Sequence, residues 1–178
     1  MQTKQTGGST VQPLYTPEQR KRRDESPWTL VQGILAPVQF LVLLISLGLI
    51  LRTLITGEGH AIANASVVVK TLTLYTIMIT GAIWEKVVYG QYLFAPAFFW
   101  EDVFSFLVLA LHTAYLGALA FHWLDATGLL VLALAAYATY IINAGQFILK
   151  LRAARLQSDA EKRGFNMSSN SIHAEIAS

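Results

Sequence analysis

Cysteine is absent from the chain, which excludes disulfides, thiolate nucleophiles and cysteine-ligated iron–sulfur clusters within it. Charge is scarce too. Asp, Glu, Lys and Arg make up 13% of the 178 residues, against 54% apolar ones, where a soluble domain carries roughly a quarter charged residues. From Trp28 to Leu51 no side chain is charged, and a run above about 18 such residues can cross a hydrocarbon core about 30 Å thick. This run is too long for a signal-peptide core and has no small-residue cleavage site after it, so it reads as a retained helix. The net charge of +2 comes from the two tails, which fits a membrane surface and not the basic folded face that nucleic acid requires. No nucleic-acid partner is expected, and no internal repeat is present.

The chain consists instead of a series of long apolar segments. Four spans are expected, at about 28–55, 62–84, 98–123 and 127–149, between a basic N-terminal tail, 1–27, and a C-terminal tail, 150–178, that is partly disordered from Asn166 on. In lipid every backbone polar group must be satisfied internally, so the expected fold class is all-α, an integral membrane four-helix bundle. Pro37 is expected to kink the first span and Pro96 to sit in the first turn of the third. Lys and Arg concentrate in the tails, at Lys4, Arg20 to Arg23, Lys150, Arg152, Arg155, Lys162 and Arg163. The loop from His122 to Ala126 has none. That asymmetry predicts both termini in the cytoplasm, with the connection from Glu85 to Ala97 on the same side.

Ionisable side chains inside a span cost about 2.5 to 3.5 kcal/mol each and call for a reason. Glu85, Lys86, Glu101, Asp102 and His112 gather towards the cytoplasmic end of the second and third spans. Glu101, Ser105, Val108, His112 and Tyr115 follow the 4,3,4,3 spacing of one helix face, so a polar stripe enters the bilayer. His112 lies about 16 Å along the axis from Glu101, suited to lining the same cavity. Met78, Gly81 and Glu85 share a face of the second span, where Gly81 permits the close approach of a helix or a flat ligand. On the fourth, Tyr137, Tyr140, Asn143 and Gln146 form a drifting polar stripe, serving as interhelical glue or as ligand contacts. Lys70 is expected to snorkel to the outer interface. Tyr89, Tyr92, Phe94, Phe98, Phe99 and Trp100 form either an interfacial belt or walls for a planar ligand. The residues alone thus describe a four-span protein with an acidic pocket on the cytoplasmic side.

The segment WEKVVYGQYLFAPAFFWEDV, Trp84 to Val103, resembles the central signature of the vinyl bacteriochlorophyllide hydratases of anoxygenic phototrophs. Three further blocks agree with it: LYTPEQRKRRD from Leu14, WTLVQGILAPVQF from Trp28, and YATYIINAGQF with LKLRAARL from Tyr137 to Leu156. The resemblance implies an enzyme, a hydro-lyase of the bacterial inner (intracytoplasmic) membrane. It adds water to the C3 vinyl group of chlorophyllide a or a 3-vinyl bacteriochlorophyllide, giving a 3-(1-hydroxyethyl) product. Such an addition needs an acid for the terminal vinyl carbon and a base that orients water onto the inner one. Glu101 or Glu85 is the expected acid, and Asp102 or His112 the base or water-positioning group. Lys86, Tyr89, Tyr92, Phe98, Trp100, Tyr140, Asn143 and Gln146 are expected to bind the substrate, with Lys150 and Arg152 joining Lys86 at a basic rim for its propionate. No separate cofactor and no protein metal site are expected, since magnesium arrives with the chlorin; His112 is an alternative axial ligand for it. Expected partners are the substrate and the bilayer, with a homo-oligomer or other pigment-forming enzymes as further contacts; Ala114, Ala118, Ala133 and Ala136 permit close helix packing. The rival readings are a haem- or quinone-binding membrane anchor and a non-catalytic pigment carrier. His112 and His122 lie about 15 Å apart on one helix, so a single chain cannot clamp one haem between them.

Overall fold

The computed structural model describes residues 14–176; Lys4 and the rest of 1–13 lie outside it. Five helices follow in order: α1 (Pro17–Glu25), α2 (Pro27–Thr56), α3 (His60–Tyr89), α4 (Phe99–Phe121) and α5 (Ala126–Ile176). Four helical stretches are long and apolar enough to cross a membrane: Pro27–Thr56, His60–Tyr89, Phe99–Phe121 and Ala126–Leu156. Most large apolar side chains on them, among them Ile34, Leu41, Ile45, Leu72 and Val131, point outward, as a hydrocarbon solvent allows.

α1 lies in the tail expected to precede the spans. Its start is encoded locally: Thr16 Oγ1 accepts from the Gln19 backbone N–H while the Gln19 side chain accepts from the Thr16 N–H, a reciprocal capping box with Pro17 at the first helical position. Ser26 ends α1 and caps α2, accepting from the Trp28 N–H. α2 runs unbroken through Pro37, whose missing N–H leaves the Gly33 carbonyl without its helical donor. Gly57 and Gly59, at φ of 72° and 89°, turn the chain into α3, a backbone region that costs glycine nothing. Pro96 is not in a helix. It is the second residue of a turn closed by the Phe98 N–H on the Ala95 carbonyl at 2.7 Å, where its fixed φ is favourable. α5 continues past 149, the expected end of its span, because 150–163 is rich in Ala, Leu, Lys, Arg and Glu, good helix formers without proline.

The helices form two antiparallel hairpins, α2 with α3 and α4 with α5. The hydrophobic core lies at the end opposite α1. Leu43, Ile50, Ala63, Val67, Tyr115 and Leu130 are buried there. Ala118, Ala133 and Ala136 belong to the same core, so three of the four small residues expected to permit helix contact serve packing within one chain, while Ala114 is exposed. Hydrogen bonds pin the hairpins together there. The Ser46 hydroxyl lies 2.6 Å from the Tyr137 hydroxyl across the hairpins and 2.6 Å from the Ser66 hydroxyl within its own, and Tyr115 Oη donates to Asn64 Oδ1 at 2.9 Å across them. Each such bond contributes about 1 kcal/mol. Towards α1 the hairpins part, and the space between them is the site.

Candidate active site

The cleft encloses a cavity of about 740 Å³, within the range of small-molecule sites. Its walls are mostly apolar, with Ala36 and Phe40 from α2, Leu74 and Met78 from α3, and Phe147 and Ile148 from α5. Gly81 also borders it. A Cβ there would meet only the Gln32 side chain at 3.7 Å, ordinary contact, so this glycine leaves room in the cavity and is not forced by a neighbouring helix.

Two carboxyl groups face one another near the α1 end of this apolar space. Glu85, from the last turns of α3, and Asp102, from the first turn of α4, are buried, line the cavity and lie close enough to interact with each other. The loop between the helices holds both. The Phe94 N–H donates to Asp102 Oδ2 at 2.7 Å and the Ala95 N–H to Glu85 Oε2 at 3.3 Å. Phe94 adopts φ 59°, a left-handed conformation unfavourable for a bulky side chain. Its ring is fixed by stacking on Phe106 at 5.4 Å. Two successive amides thereby clamp two carboxyls from different helices.

Below the carboxyls, Asn143 Nδ2 donates to Ser105 Oγ at 2.8 Å, and both residues line the cavity. The wall towards α2 is set by Gln32 Nε2 donating to Thr80 Oγ1 at 2.7 Å and Trp84 Nε1 to Thr29 Oγ1 at 2.9 Å. At the mouth, α1 brings the Arg23 guanidinium over the Tyr15 ring, 4.6 Å from its centroid. Burial pushes the Tyr15 hydroxyl above its ordinary pKa, against the opposing effect of Arg23, so the phenol remains a hydrogen-bond donor at neutral pH.

The family model described as 2-vinyl bacteriochlorophyllide hydratase matches residues 15–153. That match takes in α1, the first three spans, nearly all of the fourth and every cavity-lining residue named above. The chain belongs to that family. It is 69% identical over 147 residues to the 2-vinyl bacteriochlorophyllide hydratase of Cereibacter sphaeroides, covering 83% of this chain and 91% of the relative. It is 66% identical over 151 residues to the protein of the same name from Rhodobacter capsulatus, covering 85% and 88%. No solved structure matches the chain.

In this member of the hydratase family the residues singled out from sequence fall into two sets. Glu85, Asp102, Phe98, Tyr140 and Asn143 line the cavity. Glu101 is directed away from it, onto Lys150 Nζ at 2.6 Å. His112 is fully buried, with its Nδ1 2.8 Å from the Val108 carbonyl and its ring stacked on Tyr137, and is not part of the lining. Lys86 Nζ donates to the Gly90 carbonyl and lies over the Tyr92 ring, while Trp100 packs edge-on against Phe99 and is exposed. Tyr89 stands behind the wall, between Tyr15, Trp84 and Phe98. Gln146 lies off the lining too, and Arg152 is exposed.

Lys70 corrects its expectation. It is fully buried, with Nζ 3.7 Å from the Tyr140 ring centroid. α3 starts at His60, which puts Lys70 about 15 Å into the helix, and there its face is turned inward. Gln32, Gln39, Tyr15 and Arg23 are lining residues that the chemistry-bearing motifs did not single out. Gln32 and Gln39 are seven residues apart, two turns on one face of an otherwise apolar helix, and that spacing was their available signal.

Proposed function

We propose that this chain adds water to the vinyl group of a bacteriochlorophyllide, with Glu85 and Asp102 as the acid and base. The observation that carries the reading is a pair of neighbouring buried carboxyls, clamped by successive loop amides, at one end of a long apolar cavity. Its fit to the family's chemistry is direct. Two neighbouring buried carboxyls hold a proton between them, since two ionised carboxylates offer each other only acceptors. The protonated member delivers that proton to the terminal vinyl carbon. The cation left on the inner carbon is delocalised into the macrocycle. Water attacks that carbon as its proton passes to the ionised carboxylate. Proton transfer between Glu85 and Asp102 restores the starting state, so one water is consumed and no redox partner is needed. The magnesium belongs to the substrate.

The same reading puts the protein in the bacterial inner (intracytoplasmic) membrane as a four-span bundle with both termini in the cytoplasm. It is supported by four apolar spans, an even number that returns the chain to its starting side, and by the basic residues of α1 and the α5 extension. The test is to incubate the protein in membranes with the vinyl substrate in deuterated water. A product heavier by one deuterated water, with one deuterium on the new methyl group, is expected. A hydroxyl oxygen drawn from molecular oxygen, or retention of unchanged pigment, would overturn the proposal.

A further inference from the structure

Gln39 lies at the floor of the cavity, 0% exposed, and neither its amide nitrogen nor its amide oxygen has a hydrogen-bond partner among the described residues. Lys70 Nζ, behind the lining on the ring of Tyr140, is equally without a hydrogen-bond acceptor among them. Burying an amide unbonded costs about 1 to 3 kcal/mol, and in a membrane span no bulk water is at hand to relieve it. The cavity therefore borders an amide donor that the described side chains leave unsatisfied, which fits a ligand edge that carries an oxygen acceptor.

The height of the floor fixes which edge. The Trp84–Thr29 hydrogen bond sets the top of α2 level with the turn that carries Glu85. From Thr29 to Gln39 helix α2 rises about 15 Å, comparable to the breadth of a chlorin with its substituents. In a chlorophyllide the ring-conjugated ketone stands diametrically across the macrocycle from the vinyl-bearing pyrrole. With the vinyl group at Glu85 and Asp102, the ketone oxygen reaches the depth of Gln39. We propose that Gln39 is a specificity-determining residue whose amide donates a hydrogen bond to this ketone, selecting the orientation that presents the vinyl edge to the carboxyl pair. This rests on the hydratase reading above.

The test pairs Gln39→Met, which keeps the side chain's length and removes an unbonded amide, with substrates bearing either the ketone or a methylene in its place. Wild type should favour the ketone substrate by about fivefold to tenfold in KM, the worth of one such bond, and Gln39→Met should bring that ratio near one while still hydrating the methylene analogue. Resonance Raman of bound pigment should show the ketone stretch lowered in wild type and returned towards its unbonded frequency in the variant. Equal discrimination by both proteins, or an unshifted ketone band in wild type, would overturn the proposal. Should Gln39→Met bind no pigment, Gln39→Asn must retain a lowered ketone band, and an unshifted band there overturns the proposal equally. Failure of wild type to hydrate either substrate would strike the hydratase reading itself, a distinguishable result.

Discussion

At the residue scale the acidic side chains separate by what each one touches. Glu85 and Asp102 face the cavity and one another, whereas Glu101 is matched to Lys150. Glu85→Gln and Asp102→Asn should each lower kcat by about 100-fold or more, the usual worth of a positioned acid or base, measured as hydroxyethyl product formed in membranes. Glu101→Gln should act on stability instead. It strands the Lys150 ammonium at a cost of about 1 to 3 kcal/mol, and Glu101→Gln with Lys150→Met should recover most of the loss in a thermal melt; a lasting kcat defect in the double variant would return Glu101 to the chemistry. Lys70→Met, which replaces a buried amine with no hydrogen-bond acceptor among the described residues, should fold and raise the melting midpoint by about 2 to 4 °C for each kcal/mol recovered. The carboxyls could be read in the sequence because charge in an apolar run is conspicuous. Gln39 and the burial of Lys70 could not, because the direction a span's face points is decided by the helices packed against it. Periodicity alone gives which residues share a face, as the buried stripe of Glu101, Ser105, Val108, His112 and Tyr115 shows, and not which of them reaches the cavity.

At the element scale the spans were legible from hydropathy, to within a few residues at most ends. α1 was not, since PEQRKRRDE has no apolar face to give it a period. Its start signal was nonetheless present, as Thr16 followed three residues later by Gln19. The helix matters to the site through what it carries: Tyr15 and Arg23 form the mouth of the cavity. Thr16→Ala removes the capping bond and should cost α1 about 1 kcal/mol, visible as faster amide exchange over 17–25. KM should rise about fivefold with kcat nearly unchanged, because the acid pair is held by a different element. An unaltered KM alongside faster exchange would separate α1 from substrate access. The 90–98 loop is the other element whose form the sequence conceals, since the left-handed Phe94 is imposed by its aromatic neighbours and by the carboxyls it serves.

At the scale of the whole molecule the distribution of packing is uneven. The hydrophobic core joins the hairpins at the end away from α1, and the other half encloses the cavity. Bound pigment should raise the thermal midpoint, by about 2.7 kcal/mol of stabilisation at a hundredfold excess over Kd; a midpoint insensitive to pigment would mean that the cleft is already closed without it. Single cysteines placed at residues 16 and 160 should label from the same face of the membrane, and opposite accessibility would contradict an even number of spans. The uneven core also bears on how long the protein survives in a cell. A chain whose other half surrounds a cavity gains stability when substrate fills it, so a shortage of pigment precursor should leave the 90–98 loop and α1 more open to a protease. Supply of precursor would then set the lifetime of the enzyme as well as its rate, and the quantity of protein in the membrane would follow the flux of pigment through it without any change in its synthesis.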